Sequence, residues 1–348
     1  MPENGMPIAD AAVEIAKAYD TLQYLMGMVE VDAMERRRVQ TSAGRVPVSI
    51  VGGFLGSGKT TLLRRLLSAP HNMRITAIVN DVADLNIDAE LIADVADDTI
   101  ALTNGCVCCS QSGGIARVLT KLTADTSVPE LVLLETSGVA DIWAVTQTVE
   151  SLPGFRIDCV TTVVDAAAVA YSGTVDYLVQ RQTVAADLLL LNKMDLVSPA
   201  TATEAEARLG QLAPRAQILR TIDCAVPHGV ILSPPSHAAD ELGACIIDDQ
   251  HFATLKLAAD RPLDQTAVER CLSALPSGVL RIKGFLRLTI NPDCLQALQV
   301  VGRRWRWDPV GREVSSEGQL VVIGLVAAMD PKLIQAHFAS AGLLLLSQ

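Results

Sequence analysis

The sequence predicts an α/β protein: a mostly parallel sheet with helices on both faces, followed by a smaller α+β domain. Three observations carry that expectation. Short β-branched apolar runs alternate with helical stretches over residues 46–232. A glycine-rich loop, Gly52 to Gly58, joins the first such run to the first helical stretch. The rhythm then breaks at Ser233-Pro234-Pro235-Ser236 and resumes differently after residue 250. Continuous apolar strands alternating with helices imply a sheet buried on both faces.

The elements follow in order. Residues 1–45 read as a helical extension. Ile8, Ala12, Ile15, Tyr19, Leu22, Met26, Val29 and Ala33 recur in steps of four and three, the spacing of a heptad seam. Such a seam packs on the protein's own body or on a second helix. A homodimer through this helix, or through the face of the following domain, is therefore open. Strands are expected at Val46–Val51, Ile75–Asn80, Thr99–Leu102, Leu131–Glu135, Val160–Val164, Leu188–Leu191 and Ile218–Arg220. Helices lie between most of them, for example Thr60–Leu67 and Gln111–Leu122. Residues 233–250 read as a linker. In residues 251–348, strands at His251–Leu257 and Val279–Leu288 flank a helix at Thr266–Ala274. A strand at Leu320–Val326 and a helix at Lys332–Ala339 follow.

Composition bounds the function. The chain has 348 residues, which suits two domains at roughly 100–200 residues each. Half of the residues are hydrophobic and only 3% are aromatic, so the core must be built from Val, Leu, Ile and Ala. The net charge of -11 argues against a nucleic-acid partner, which calls for a basic patch or stripe. The basic runs Arg36-Arg37-Arg38 and Arg303-Arg304-Trp305-Arg306 read as solvated faces. No segment approaches the ~20 apolar residues of a membrane span. No basic start followed by an apolar run marks a signal peptide. A cytoplasmic protein with mostly reduced cysteines is expected. Five of the eight cysteines (Cys159, Cys224, Cys245, Cys271, Cys294) are scattered and read as small buried hydrophobes. Cys245, Asp248, Asp249 and His251 read as linker residues rather than as a second metal site.

The chemistry begins at Gly53-Phe54-Leu55-Gly56-Ser57-Gly58-Lys59-Thr60-Thr61. A strand precedes this run and a helix follows, the context of a P-loop. Gly53, Gly56, Ser57, Gly58 and Thr61 turn backbone N–H groups onto phosphate oxygens, helped by the positive end of the helix. Lys59 reaches the β- and γ-phosphates, and Thr60 offers its hydroxyl to Mg²⁺. Asn192-Lys193-Met194-Asp195 follows a buried strand. An Asp195 carboxylate accepts two hydrogen bonds from guanine, and adenine has no matching donor pair on that edge. Asn192 adds an amide contact and the Lys193 stem lies across the base. GTP/GDP is the expected nucleotide.

Glu135-Thr136-Ser137-Gly138 closes another apolar strand. Gly138 can donate its N–H to the γ-phosphate. The acid at Glu135 holds Mg²⁺ through water or orients the attacking water. Asp81, in the polar loop after the second strand, is the switch candidate for Mg²⁺ or water contact. Cys106, Cys108 and Cys109 form a thiolate-rich corner that suits Zn²⁺, Cu⁺ or iron–sulfur chemistry. Three thiols fall short of the four ligands of a closed zinc site, which suits a metal that is handed on. A redox-active pair or buried structural thiols are the alternatives.

In order, GGFLGSGKTTLL, NDVADLNID, GCVCC, ETSG and NKMD resemble the CobW-type GTP-binding metallochaperones, which include nitrile hydratase activators. LPSGVLRIKGFL and LVVIG resemble the second domain of that family. The resemblance spans about residues 46–345 and implies a P-loop NTPase fold. It also implies GTP hydrolysis coupled to delivery of Zn²⁺, Co²⁺ or Fe²⁺ to a client metalloprotein, with Cys106, Cys108 and Cys109 at the transferred metal. Asp81, Val82, Ala83 and Asp84 depart from the family's usual switch loop, closer to Asn-Glu-Phe-Gly-Glu. The chain carries no His-rich tract, and residues 1–45 stand outside the common pattern. Two other functions fit the same residues: a regulatory GTPase that gates a metalloenzyme without carrying metal, and a thiol redox-sensing GTPase.

Overall fold

Residues 45–69, 73–79, 99–101, 112–124, 128–171, 177–232, 251–309 and 318–346 are described by a computed structural model. The expected helix in residues 1–45 and the expected linker at 233–250 lie outside the described residues, apart from Arg45.

The first half is built on seven strands: β1 (Val46–Gly53), β2 (Ile75–Val79), β3 (Thr99–Ala101), β4 (Leu131–Glu135), β5 (Phe155–Asp165), β6 (Leu188–Asn192) and β7 (Gln217–Arg220). They lie in the order β3-β2-β4-β1-β5-β6-β7. Every neighbouring pair is parallel. All eight residues of β1 and all five of β4 and β6 are buried, as a sheet covered on both faces requires. Side chains alternate between the covers. Leu188 and Leu190 pack in one core cluster, whereas Leu189 and Leu191 pack in another.

Six helices interleave with these strands: α1 (Lys59–Ser68), α2 (Ser112–Ala124), α3 (Ile142–Ser151), α4 (Ala166–Tyr171), α5 (Tyr177–Val184) and α6 (Pro199–Leu212); a short α7 (His228–Ile231) follows β7. α1 buries Leu62, Leu63, Leu66 and Leu67 on one face of the sheet. Full burial of such a side chain contributes about 1.5–3 kcal/mol. On the opposite face α2 and α3 contribute Ile115, Leu119, Ile142, Val145 and Val149, and α6 contributes Ala205 and Leu209. The sequence explains where α6 starts. Ser198 accepts from the Thr201 N–H at 3.2 Å, and Pro199 occupies the first turn, where its missing N–H costs nothing.

The second half forms a six-stranded antiparallel sheet: β8 (Phe252–Ala259), β9 (Val279–Leu288), β10 (Asn291–Val301), β11 (Arg304–Pro309), β12 (Gly318–Leu325) and β13 (Leu344–Leu345). Its order is β11-β10-β9-β12-β8-β13. Helices α8 (Gln265–Ser273) and α9 (Pro331–Ala339) start on aspartate caps, Asp264 and Asp330. Their apolar sides join Leu257, Leu286, Leu298 and Leu320 in one cluster.

The two sheets share a core. Leu280, Val301, Val321 and Ile323 of the second sheet pack with Leu62, Leu66, Val163 and Leu190 of the first half. At the seam stands a polar knot. Arg281 is fully buried and donates to Asp158 Oδ2 at 2.6 Å and to the Val230 and Ile231 carbonyls at 2.9 and 2.8 Å. Arg306 donates to Asp158 Oδ1 at 3.2 Å and to the Ile157 carbonyl at 2.7 Å. Arg304 pairs with Asp187.

Three expectations change here. The run Arg303–Arg306 is not a solvated face, because Arg304 and Arg306 dock onto acids of the first sheet. The hairpin β10–β11 is not foreseen in the sequence, and β5 begins five residues earlier than expected. Cys294 is exposed rather than buried, since it lies where the β9–β10 register shifts, while Cys159, Cys224 and Cys271 are buried.

Removing one partner of a buried, hydrogen-bonded ion pair leaves a charge without compensation. Asp158→Asn therefore lowers stability by about 3–5 kcal/mol. Denaturant unfolding of the GDP-loaded protein measures it, and a loss below about 1 kcal/mol shows that the knot is structurally neutral.

Candidate functional site

All seven strands of the first sheet are parallel, so their carboxyl ends share one rim. Ligands of open α/β sheets gather there. The register places Val51, Glu135, Val79 and Ala101 in one row across β1, β4, β2 and β3.

β1 ends at Gly53, where φ is 136°. A Cβ there would lie 2.2 Å from the Val163 carbonyl oxygen, so the loop can pass β5 only as glycine. Gly58 takes φ 115° and starts α1 without a side-chain cap. A Cβ on it would meet Asn192 Nδ2 at 2.7 Å and Cys224 Sγ at 2.9 Å. The first N–H groups of α1 are thus left for an anion. Ser57 Oγ is buried and has no hydrogen-bond partner among the described residues. That orphaned hydroxyl fits a phosphate-binding loop. Lys59 is 8% exposed, and its Nζ donates to the Phe54 carbonyl at 3.3 Å, folding the side chain back over the loop. Thr60 and Thr61 follow on the first turn, and Gly56 is exposed at the loop's crest.

Glu135, at the end of β4, is buried, and its Oε1 accepts from the Thr60 hydroxyl at 3.3 Å. Two oxygen ligands thus converge beside the P-loop, the donor set that a hard divalent cation takes. Gly138 lies against the loop, where a Cβ would stand 2.7 Å from Leu55 Cδ2. The Thr136 N–H bonds the Val51 carbonyl at 2.9 Å, tying β4's exit to the P-loop strand.

The segment expected to read guanine follows β6. Asn192 is 2% exposed. Its Nδ2 donates to the Ser57 carbonyl at 3.0 Å, and its Oδ1 accepts from the Cys224 N–H at 2.9 Å and from Thr221 Oγ1 at 3.2 Å. The side chain expected to add an amide contact to the base thus also ties its own segment to the phosphate loop and to the loop after β7. Lys193 adopts φ 62°, and its ammonium pairs with Asp165 Oδ2 at 2.8 Å, which fixes the stem. Asp195 is exposed on a short 3-10 turn, Met194–Leu196, with its carboxylate open to a ligand.

Sequence reasoning missed Cys224 and Asp165. Cys224 takes φ 55°, and its thiol donates to the Gly58 carbonyl at 3.3 Å. Burial pushes that thiol up to about 12, so it remains a protonated donor at neutral pH. Nothing in its neighbours marked it, since the contact spans 166 positions. Asp165 accepts from the Ala167 N–H at 2.9 Å with one oxygen and holds Lys193 with the other. Asp81, Cys106, Cys108 and Cys109 lie outside the described residues. Among the described residues no cluster of His, Cys, Asp or Glu is arranged for a metal, and no helix is long and apolar enough to cross a membrane.

A glycine-built phosphate loop, a Thr–Glu pair at its mouth and an Asn-Lys-Met-Asp segment on the same rim define a P-loop GTPase. Residues 47–220 match the CobW/HypB/UreG nucleotide-binding domain, and residues 252–342 match the cobalamin synthesis protein cobW C-terminal domain. The chain belongs to the CobW/HypB/UreG family. It is 29% identical over 337 residues to a zinc chaperone CobW of Sinorhizobium sp, covering 82% of this chain and 94% of that one. It is 27% identical over 316 residues to the zinc-regulated GTPase metalloprotein activator 1 of Dictyostelium discoideum, covering 74% and 66%. Among solved structures it resembles the Zn(II)-bound YjiA GTPase from E. coli at 21% identity and a TM-score of 0.39, covering 85% and 99%.

Asn192→Ala removes a buried tie and leaves the Cys224 N–H and the Ser57 carbonyl unpaired. At about 1–3 kcal/mol for such a loss, GDP and GTP both bind about 10–100-fold more weakly. The dissociation rate of a fluorescent GDP analogue reads this directly, and an unchanged rate shows that the tie does not shape the site.

Proposed function

We propose that the protein is a GTP-hydrolysing metallochaperone that binds a transition metal, zinc foremost and cobalt or iron as alternatives, at Cys106, Cys108 and Cys109. It passes the metal to a client metalloprotein. The observation that carries this reading is the register row. Ala101, where the chain leaves β3 five residues before Cys106, is level with Glu135 and with Val51 two residues before Gly53. β3, which precedes the three thiols in sequence, thus ends on the rim that holds the phosphate loop. A metal and a γ-phosphate on one rim can bias each other's binding reciprocally. The names of the Sinorhizobium and Dictyostelium relatives support the choice of zinc and of a client protein.

Each residue then has a task. The backbone of Gly53–Thr61 cradles the phosphates and Lys59 neutralises them. Thr60 and Glu135 would hold Mg²⁺, which would neutralise phosphate charge there. The Thr60–Glu135 contact favours that role for Glu135 over water orientation. Gly138 donates its N–H to the γ-phosphate, and Asp81 of the switch loop is the candidate for contact with Mg²⁺ or water. Asp195 reads the guanine edge, with Lys193 braced by Asp165 across the base and Asn192 holding the two loops in register.

Two measurements test this. Zinc titration with and without a non-hydrolysable GTP analogue should give different affinities, and Cys106→Ser with Cys108→Ser should abolish tight binding. Zinc affinity that ignores both changes eliminates the carrier function and favours a GTPase that gates its client. Asp195→Asn replaces an acceptor with an amide that can donate. Guanine binding should fall by about 10–100-fold, at about 1.5–3 kcal/mol for charged hydrogen bonds. A xanthine nucleotide, whose ring presents a carbonyl in place of the amine, should gain. Retained guanine preference would place base recognition elsewhere.

A further inference from the structure

The loop from Thr136 to Asp141 carries Gly138 to the phosphate loop. Its start is tied to β1 and its end is a helix cap, because Asp141 Oδ1 accepts from the Trp143 N–H at 3.1 Å. The turn between them is gripped from α5. Gln182 is 1% exposed, and its side-chain amide donates twice, to the Gly138 carbonyl at 3.2 Å and to the Ala140 carbonyl at 3.1 Å. Next to it, Arg181 pairs with Asp141 Oδ2 at 2.6 Å. The helix itself is seated on the sheet, since the Thr162 hydroxyl donates to the Gln182 carbonyl at 2.9 Å. Thr162 adjoins Val163, whose carbonyl lies against Gly53.

We propose that Gln182, assisted by Arg181, is a positioning residue that sets the loop bearing Gly138 at the γ-phosphate, and so sets how the protein tells GTP from GDP. This rests on the reading that the Gly138 N–H meets the γ-phosphate. The chemistry at Gln182 is restrictive. A buried side chain must supply two N–H donors about one turn apart in the loop, without bringing a charge. A glutamine amide does so. Ionised glutamate of the same length has no donor, and leucine removes the donor from a buried carbonyl at Gly138 and a part-buried one at Ala140. Gly138 sits close against Leu55, so the loop and the phosphate loop form adjoining walls of the γ-phosphate position. GDP, held by Gly53–Thr61 and the base loops, makes no demand on the Gly138 turn. Loss of the grip is therefore felt by GTP and not by GDP, an asymmetry that a general packing role would not produce.

The test compares full-length wild type with Gln182→Leu, Gln182→Glu, Arg181→Met and Gly138→Ala. GDP and non-hydrolysable GTP affinities and single-turnover GTP hydrolysis are measured on each. In both Gln182 variants the GTP analogue should bind about tenfold more weakly, about 1.4 kcal/mol, with GDP within about twofold of wild type and hydrolysis slowed at least as much. Arg181→Met should shift the same ratio by a smaller factor. If Gln182→Leu fails to fold, Gln182→Glu and Arg181→Met carry the comparison. Equal weakening of both nucleotides, or no change in either, overturns the proposal. Gly138→Ala separates the two layers. An unchanged GTP-to-GDP ratio there overturns the γ-phosphate reading and the proposal with it. A changed ratio there, beside unchanged Gln182 variants, overturns the positioning role alone.

Discussion

The close passage of the phosphate loop beneath the ends of β5 and β6 is the constraint on which the site depends. Gly53 slides past the Val163 carbonyl, and Gly58 fits under Asn192 and Cys224, at distances that leave no room for a Cβ. Asn192 then ties the loops around it with one amide N–H and its carbonyl oxygen. The phosphate loop and the Asn-Lys-Met-Asp segment are therefore tied into one assembly. A site assembled before the ligand arrives does not spend binding energy on ordering its own loops.

Much of this was legible in the sequence because its rules are local. The glycine spacing before Lys59 and the continuous apolar strands act within a few residues. β9 is found over the residues that the sequence predicts, Val279–Leu288, and α9 begins one residue before its expected start. What escaped depends on partners far along the chain. Phe155-Arg156-Ile157-Asp158 opens β5 with two charges and does not read as a buried strand. Asp158 is tolerated because Arg281 and Arg306 reach it from more than a hundred residues away, and Arg156 because it lies 3.8 Å from Asp158 and donates to the Arg45 carbonyl. The same pairing hid the character of Arg303–Arg306, since no local pattern tells an arginine that meets water from one that meets a buried aspartate. The loop-holding ties of Asn192 were not legible either, since Ser57, Thr221 and Cys224 lie 29 to 135 positions away.

The second sheet supplies part of the first domain's cover. In a doubly covered sheet each face needs an apolar partner. Here α1 covers part of one face, and β9, β10 and β12 complete it with Leu280, Val301, Val321 and Ile323. Apolar burial of this kind is non-directional and would permit sliding. The arginines remove that freedom. Arg281 meets two carbonyls and a carboxylate oxygen at fixed angles, and Arg304 and Arg306 add two further anchors on Asp187, Asp158 and Ile157. Buried ion pairs are weak evidence for stability, because desolvation offsets their attraction, and they are better suited to fixing a unique register.

These contacts converge on one strand. Within eight residues of β5, Asp158 receives the second sheet, Thr162 seats α5, the Val163 carbonyl abuts Gly53, and Asp165 braces Lys193. β5 also pairs with β1 and β6 in parallel register, which binds it to the strands that end in the phosphate loop and in Asn192. A shift of β5 along its axis would disturb the domain seam, the helix that grips the Gly138 loop, the phosphate loop and the base brace together. The second domain is thereby mechanically continuous with the nucleotide site, although it supplies no side chain to the described part of that site.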